Sequence, residues 1–132
     1  MTESEIRLFY DDLMAGRADR IAERLDEHVI LEFPGRRFGG RYAGRRAVLV
    51  FLKQNQRLFR GGLRFDVEWA AVAGDRAVAQ WSNEGTTRAG EAYRNRGVTV
   101  FRFRGESIVE IQDYLDTEAI AETWPGREGT TT

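Results

Sequence analysis

Residues 92–116 read AYRNRGVTVFRFRGESIVEIQDYLD, two runs rich in Val, Ile, Tyr and Phe joined at Gly105-Glu106. Alternation at a period of two makes each run a strand, and the Gly-Glu pair makes a tight antiparallel turn between them. In the second run Val109, Ile111, Asp113 and Leu115 share one face, while Ile108, Glu110, Gln112, Tyr114 and Asp116 share the other. Asp113 therefore interrupts an apolar face. A carboxylate in such a place loses hydration, so its pKa rises unless donors reach it, and a raised carboxylate suits general acid–base work near neutrality. In the first run Tyr93, Asn95, Gly97, Thr99, Phe101 and Phe103 form the face expected to look inward, with arginines flanking Val98 and Val100 on the other. Asn95 and Thr99 are the expected polar handles of an otherwise aromatic pocket wall, and Gly97 is expected to leave space for a ligand.

Upstream, Leu63, Phe65, Val67, Trp69 and Ala71 alternate with Arg64, Asp66 and Glu68, the pattern of a half-buried strand. Gly74-Asp75 turns into a strand at 76–88, and Ala89-Gly90-Glu91 turns into the strand quoted first, so four antiparallel strands form a meander. In the 76–88 strand Ala77, Ala79, Trp81 and Asn83 alternate with Val78, Gln80, Ser82 and Glu84, and neither set is cleanly apolar. Trp81 is a pocket candidate with plain packing as its rival, and Glu84 one with solvation as its rival.

Helices precede the meander. Thr2 and Glu5 have the spacing of a capping box, Ile6, Phe9, Tyr10 and Leu13 form one helical face, and Gly16 ends it. A second helical stretch carries Ala18, Ile21, Ala22 and Leu25, and HVILEF at 28–33 then reads as a strand stopped by Pro34. Within it Glu32 shares a face with Ile30, opposite Val29, Leu31 and Phe33, and points either into a cavity or to water. PGRRFGGRYAG at 34–44 suits a mobile, solvated entrance loop. From Arg45, the stripe Val48, Phe51, Leu52, Asn55 and Phe59 marks an amphipathic helix closing at Gly61-Gly62. A short helix after Asp116 or Thr117, with Ile120 and Trp124, is halted by Pro125-Gly126, and a disordered tail is expected at 125–132. The expectation is one α+β domain over 1–124, helices on one face of a curved sheet that encloses a pocket.

The 132 residues hold 42% hydrophobic and 31% charged side chains, a globular balance, with 20 basic against 21 acidic residues and no basic field to attract nucleic acid. Nineteen of the twenty bases are arginine, because Lys53 is the sole lysine. With no cysteine and one histidine, thiol chemistry and the usual metal clusters are not expected. His28, beside Asp26 and Glu27, reads as solvated. No run approaches a membrane span, and a cytoplasmic protein without cofactor is expected. The arginine stripe Arg94, Arg96, Arg102 and Arg104, around Val98 and Val100, reads as a protein interface.

The order of elements, the helix opening YAGRRAVLVFL, the strand AYRNRGVTVFRF and the ending IVEIQDYLDT together resemble the SnoaL-like, ketosteroid-isomerase-related branch of the nuclear transport factor 2-like superfamily. The resemblance implies a conical α+β barrel, a strongly curved and mainly antiparallel sheet wrapped around the N-terminal helices, with a deep pocket and a homodimer. Limonene epoxide hydrolase-like members end their last strand in a phrase similar to Asp113-Tyr114-Leu115-Asp116, and their water-activating aspartate falls on Asp113. Their pocket tyrosine and asparagine fall on Ile30 and Glu32, and their arginine and second aspartate fall near Ser82 and Glu84, so the arginine is missing. In ketosteroid isomerases the oxyanion-binding tyrosine falls on Phe9, next to Tyr10, the base on Phe33 and the protonated aspartate on Thr99. Those three substitutions argue against steroid isomerisation.

The combined expectation is a cofactor-independent enzyme of isomerase, cyclase or hydrolase type acting on a small apolar oxygenated molecule. Asp113 is the expected base, helped by Glu32 or Glu84. Tyr10 and Asn95 are expected to orient the substrate, and Ile30, Trp81, Gly97, Thr99 and Leu115 to line its site. The alternative is a ligand-binding or dimerisation module of the same fold without chemistry.

Overall fold

The computed structural model describes residues 1–123. Helix α1 (Glu3–Ala15) opens with the Thr2–Glu5 capping box, and Gly16 at φ 72° closes it. Helix α2 (Ala18–Arg24) follows, and strand β1 (Leu25–Phe33) begins at once, so Leu25 belongs to the strand and not to the preceding helical face. The stretch expected as a loop contains strand β2 (Gly40–Ala43), which pairs with β1 through Ile30–Ala43, Leu31–Tyr42, Glu32–Arg41 and Phe33–Gly40. Arg-rich composition hid it, because an edge strand needs only one partner and tolerates charge. Helix α3 (Arg45–Arg57) precedes the meander of β3 (Arg64–Ala73), β4 (Arg76–Thr86), β5 (Ala92–Arg104) and β6 (Ser107–Leu115), and α4 (Thr117–Thr123) follows it. Trp124 and the tail expected at 125–132 lie outside the described residues.

One six-stranded sheet runs in the order β2-β1-β6-β5-β4-β3, antiparallel except where β1 meets β6. It is not closed: β2 and β3 are its edges. Helices α1 and α3 pack on one face, against β3 and β1. That face holds the core, with Val29, Leu31, Phe101, Ile111 and Ala79 each at most 3% exposed beneath Ile6, Phe9 and Val48 of the helices. Phe9 meets Phe101 edge-on at 5.5 Å between centroids, a favourable aromatic geometry.

The register shifts between Val67 and Trp69, which corrects the simple alternation expected for β3. Phe65 and Val67 pack against the core, but after the irregularity Ala70 turns inward and Trp69 stands 44% exposed on the outer face. Across the meander the pairings then form rows. Trp69, Gln80, Val98 and Tyr114 make one outer row, and Ala79, Thr99 and Asp113 lie side by side in an inner one.

Candidate active site around Asp113

Between α1, α3 and the concave sheet face lies a cavity of about 60 Å³ whose wall includes Tyr10, Trp81, Asn83, Thr99, Asp113 and Leu115. The inner row brings Thr99 and Asp113 opposite each other in register, so the short threonine side chain reaches the carboxylate: its hydroxyl donates to Asp113 Oδ1 at 2.7 Å. The same hydroxyl oxygen accepts the Trp81 indole N–H at 2.9 Å. Because a threonine has a single hydroxyl hydrogen, this chain of bonds has one direction, from Trp81 through Thr99 to Asp113.

Gly97 explains how Trp81 gets there. It pairs with Trp81 on one side and Leu115 on the other, and a Cβ built on it would lie 2.9 Å from Trp81 Cη2, 3.0 Å from Leu115 Cβ and 2.4 Å from the Tyr114 carbonyl oxygen. The missing side chain makes room for the protein's own indole ring, not for a ligand, which corrects the expectation for Gly97. Trp81 is 2% exposed and packs edge-on to Phe65 at 5.1 Å, so its position is held from both sides.

Asp113 is half-buried, and its side chain borders the cavity among apolar neighbours. Burial pushes its carboxyl up to about 6, against the opposing pull of the Thr99 hydrogen bond. The Tyr10 hydroxyl lies close to Thr99 and Trp81, and burial first, then the charge of Asp113, holds the phenol well above its usual range. Tyr10 therefore stays protonated and serves only as a neutral hydroxyl.

The structure separates the other acids from this cavity. On β4 the buried set is Ala77, Ala79, Trp81 and Asn83, so Glu84 faces outward, where it pairs with Arg64 and with Arg94 at 3.4 Å. The hydrogen bond from Arg64, then its charge, lowers the Glu84 carboxyl below the usual carboxylate range. Glu84 is thus a solvated ion-pair partner and not a second cavity acid. Glu32 is exposed, and Ile30 shares that outward face while Val29, Leu31 and Phe33 turn inward. Neither lines the cavity, because the buried neighbours of β1 select the odd-numbered face.

Asn95 is buried but fully engaged. Its Nδ2 donates to the Tyr93 hydroxyl at 2.7 Å and the Asp116 carbonyl at 2.9 Å, and its Oδ1 accepts from the backbone of Arg96 and Asp116. It ties β5 to the end of β6 and has no bond left to orient a ligand. Sequence reading missed the asparagine opposite it, Asn83, although the spacing from Trp81 places both on one face; the polar partner set Gln80, Ser82 and Glu84 masked the inward direction. Asn55 and Gln56 of α3 also border the cavity, and Gln56 is pinned to the Leu63 backbone through both ends of its amide.

An open groove of about 780 Å³ lies beside the cavity, lined by Arg64, Arg94 and Arg96 and by Asp66, Glu84 and Asp116. Its charges balance and its walls are solvated, so it lacks the desolvation that perturbs Asp113. Among the described residues no cluster of three or more His, Asp or Glu side chains is placed to hold a metal ion, and no helix is long and apolar enough to cross a membrane.

Similar structures share the fold. Bal32a from a soil-derived mobile gene cassette superimposes with a TM-score of 0.83 at 22% identity, covering 90% of this chain and 92% of the other. A protein of ketosteroid isomerase-like fold from Catenulispora acidiphila, in complex with trimethylamine, gives 0.79 at 14% identity over 93% of each chain. TerC, co-crystallised with polyporic acid, gives 0.77 at 22% identity over 89% of this chain and 92% of its own. No curated protein sequence matches. The model of the SnoaL-like domain matches residues 6–111, nearly all of the sheet and the helices beneath it, and the chain belongs to that family.

Proposed function

We propose that the protein binds a small, largely apolar oxygenated molecule in the cavity and moves a proton on it with Asp113 as the base. The observation that carries this reading is a carboxyl at the cavity wall, the one acid lining it among the described residues, raised to about 6 and hydrogen-bonded to Thr99 through Oδ1. Thr99 occupies Oδ1, so Oδ2 is the oxygen that takes the proton from a carbon next to a carbonyl, or from water. The protonated Tyr10 hydroxyl is a donor for the substrate oxygen on which charge develops. Returning the proton to a second carbon completes an isomerisation with no other reactant. With Glu32 and Glu84 outside, the reaction runs on one carboxyl and not on a pair.

The second reading is a ligand-binding or dimerisation module without chemistry, and the size of the cavity supports it, since about 60 Å³, small beside the roughly 300–1,000 Å³ of ordinary ligand pockets, leaves little room for a substrate beside Trp81. One experiment separates the two. The protein is incubated with cyclopentanone in D2O and deuterium entry next to the carbonyl is followed by NMR. Exchange that falls by about 10²-fold or more in Asp113→Asn supports the base. Exchange that persists in the variant removes Asp113 from the role, and binding without exchange selects the module.

The outer sheet face supports a homodimer as the further partner. Trp69, Gln80, Val98 and Tyr114 lie in one row across four strands, with Val78 and Val100 in the next, and Trp69 and Tyr114 are 44% and 51% exposed. A second copy of this chain would cover that row, and the neighbouring Arg102–Glu110 pair at 3.0 Å would lie at its rim.

A further inference from the structure

Two asparagines face each other across β4 and β5 in register, Asn83 and Asn95, and each is 6% exposed. Asn95 spends its whole amide on four hydrogen bonds. Asn83 does the opposite: its Oδ1 is buried and has no hydrogen-bond partner. A buried carbonyl oxygen without a donor is destabilising, and folded proteins keep few of them. Its surroundings give the reason for keeping this one. Asn83 borders the cavity that holds Asp113, and with Phe65 it is common to the cavity wall and the outer groove, so it stands at the partition between them.

We propose that Asn83 Oδ1 is the recognition point of the cavity and accepts a hydrogen bond from an N–H or O–H group of the molecule that fills it. The proposal rests on the reading of the cavity as a small-molecule site and adds the chemical class of the ligand. A neutral alcohol, phenol or amide satisfies the orphan oxygen. A hydrocarbon, ether or tertiary amide of the same shape leaves it unpaired and is rejected.

The test uses phenol and toluene, which have nearly the same shape and differ in the donor, with binding followed by NMR on the full chain. Phenol is expected to bind about tenfold tighter than toluene, the value of one buried acceptor satisfied, and to shift the Asn83 side-chain amide resonance. In Asn83→Leu the preference is expected to collapse. The free Asn83→Leu protein is expected to melt at the same temperature as the wild type or higher, whereas Asn95→Leu melts lower. Equal binding of the two probes, or a preference that survives Asn83→Leu, overturns the assignment and leaves the cavity reading in place. A lowered melting temperature in Asn83→Leu makes the amide structural and overturns it too. Failure of both probes to bind overturns the assignment together with the cavity reading.

Discussion

Replacing Asp113 with Asn is expected to make the protein more stable at neutral pH, and the pH profile of that gain tests the environment of the carboxyl without any substrate. In the unfolded chain the carboxyl titrates at its ordinary 3.8, and in the folded chain burial raises it to about 6. Below 3.8 it is protonated in both states. Between those values only the folded chain holds the proton, so the stability it contributes at low pH is lost progressively as pH rises, and the loss is complete above about 6. A displacement of about two pH units corresponds to about 3 kcal/mol. Asn removes this dependence while its side-chain oxygen still accepts the Thr99 hydroxyl. Urea unfolding of both proteins, followed by tryptophan fluorescence from about pH 3.5 to about pH 7.5, gives the difference in stability at each pH, and other acids cancel in it. The gain of the variant is expected to grow by about 3 kcal/mol across that range. A difference that stays flat, or shrinks as pH rises, refutes the claim that Asp113 is desolvated. The gain would be the stability given up to keep an acid at the cavity wall.

Thr99→Val removes the hydrogen bond that opposes desolvation, so the Asp113 midpoint is expected to climb above its value of about 6; Thr99→Ser restores it, carboxyl NMR titration reads both, and a midpoint that stays or falls in Thr99→Val refutes the opposing role of the bond. Asp12 is fully buried, with Arg17 Nε at 2.7 Å from Oδ1 and Arg24 Nε at 3.9 Å from Oδ2. Arg17→Ala, which takes the closest partner from the buried Asp12 carboxylate at the α1–α2 junction, should lower stability by about 3 kcal/mol in denaturant titration, and a loss near zero would mean the clasp is only a surface pair. Light scattering should give a dimer at micromolar concentration, and Tyr114→Arg on the outer row should give a folded monomer; a monomeric wild type ends the interface proposal.

Much of the fold was legible in order. The capping box at Thr2, the apolar stripe from Val48 and the alternation of β5 are local patterns, because a helix or strand imposes its period on neighbours a few residues away; next to Gly105 a register shift between Arg102 and Phe103 overrides the period and buries Ile108, expected on the outer face, together with Val109. The same logic put Asp113 on the face of Ile111 and Leu115, where it lies. Legibility stopped where two faces were equally mixed. On β4 the choice between Trp81–Asn83 and Ser82–Glu84 depends on which side the helices cover, and composition does not say. On β3 a one-residue shift beyond Val67 turned Trp69 out and Ala70 in, since every slip of one residue exchanges the faces of a strand.

Sequence by itself thus determined most of the elements, though not β2, their α+β class and the presence of an acid on an apolar face, all properties of short-range period and turn chemistry. Tertiary structure decided the site. Only strand register sets Thr99 opposite Asp113, lets Trp81 lie over Gly97 to reach Thr99, leaves Asn83 without a partner while Asn95 has four, and sends Glu32 and Glu84 to solvent. Those are contacts between residues up to 21 positions apart across the sheet, and the physical reason is that hydrogen bonds and desolvation depend on which side chains the folded sheet brings together, which no local pattern encodes.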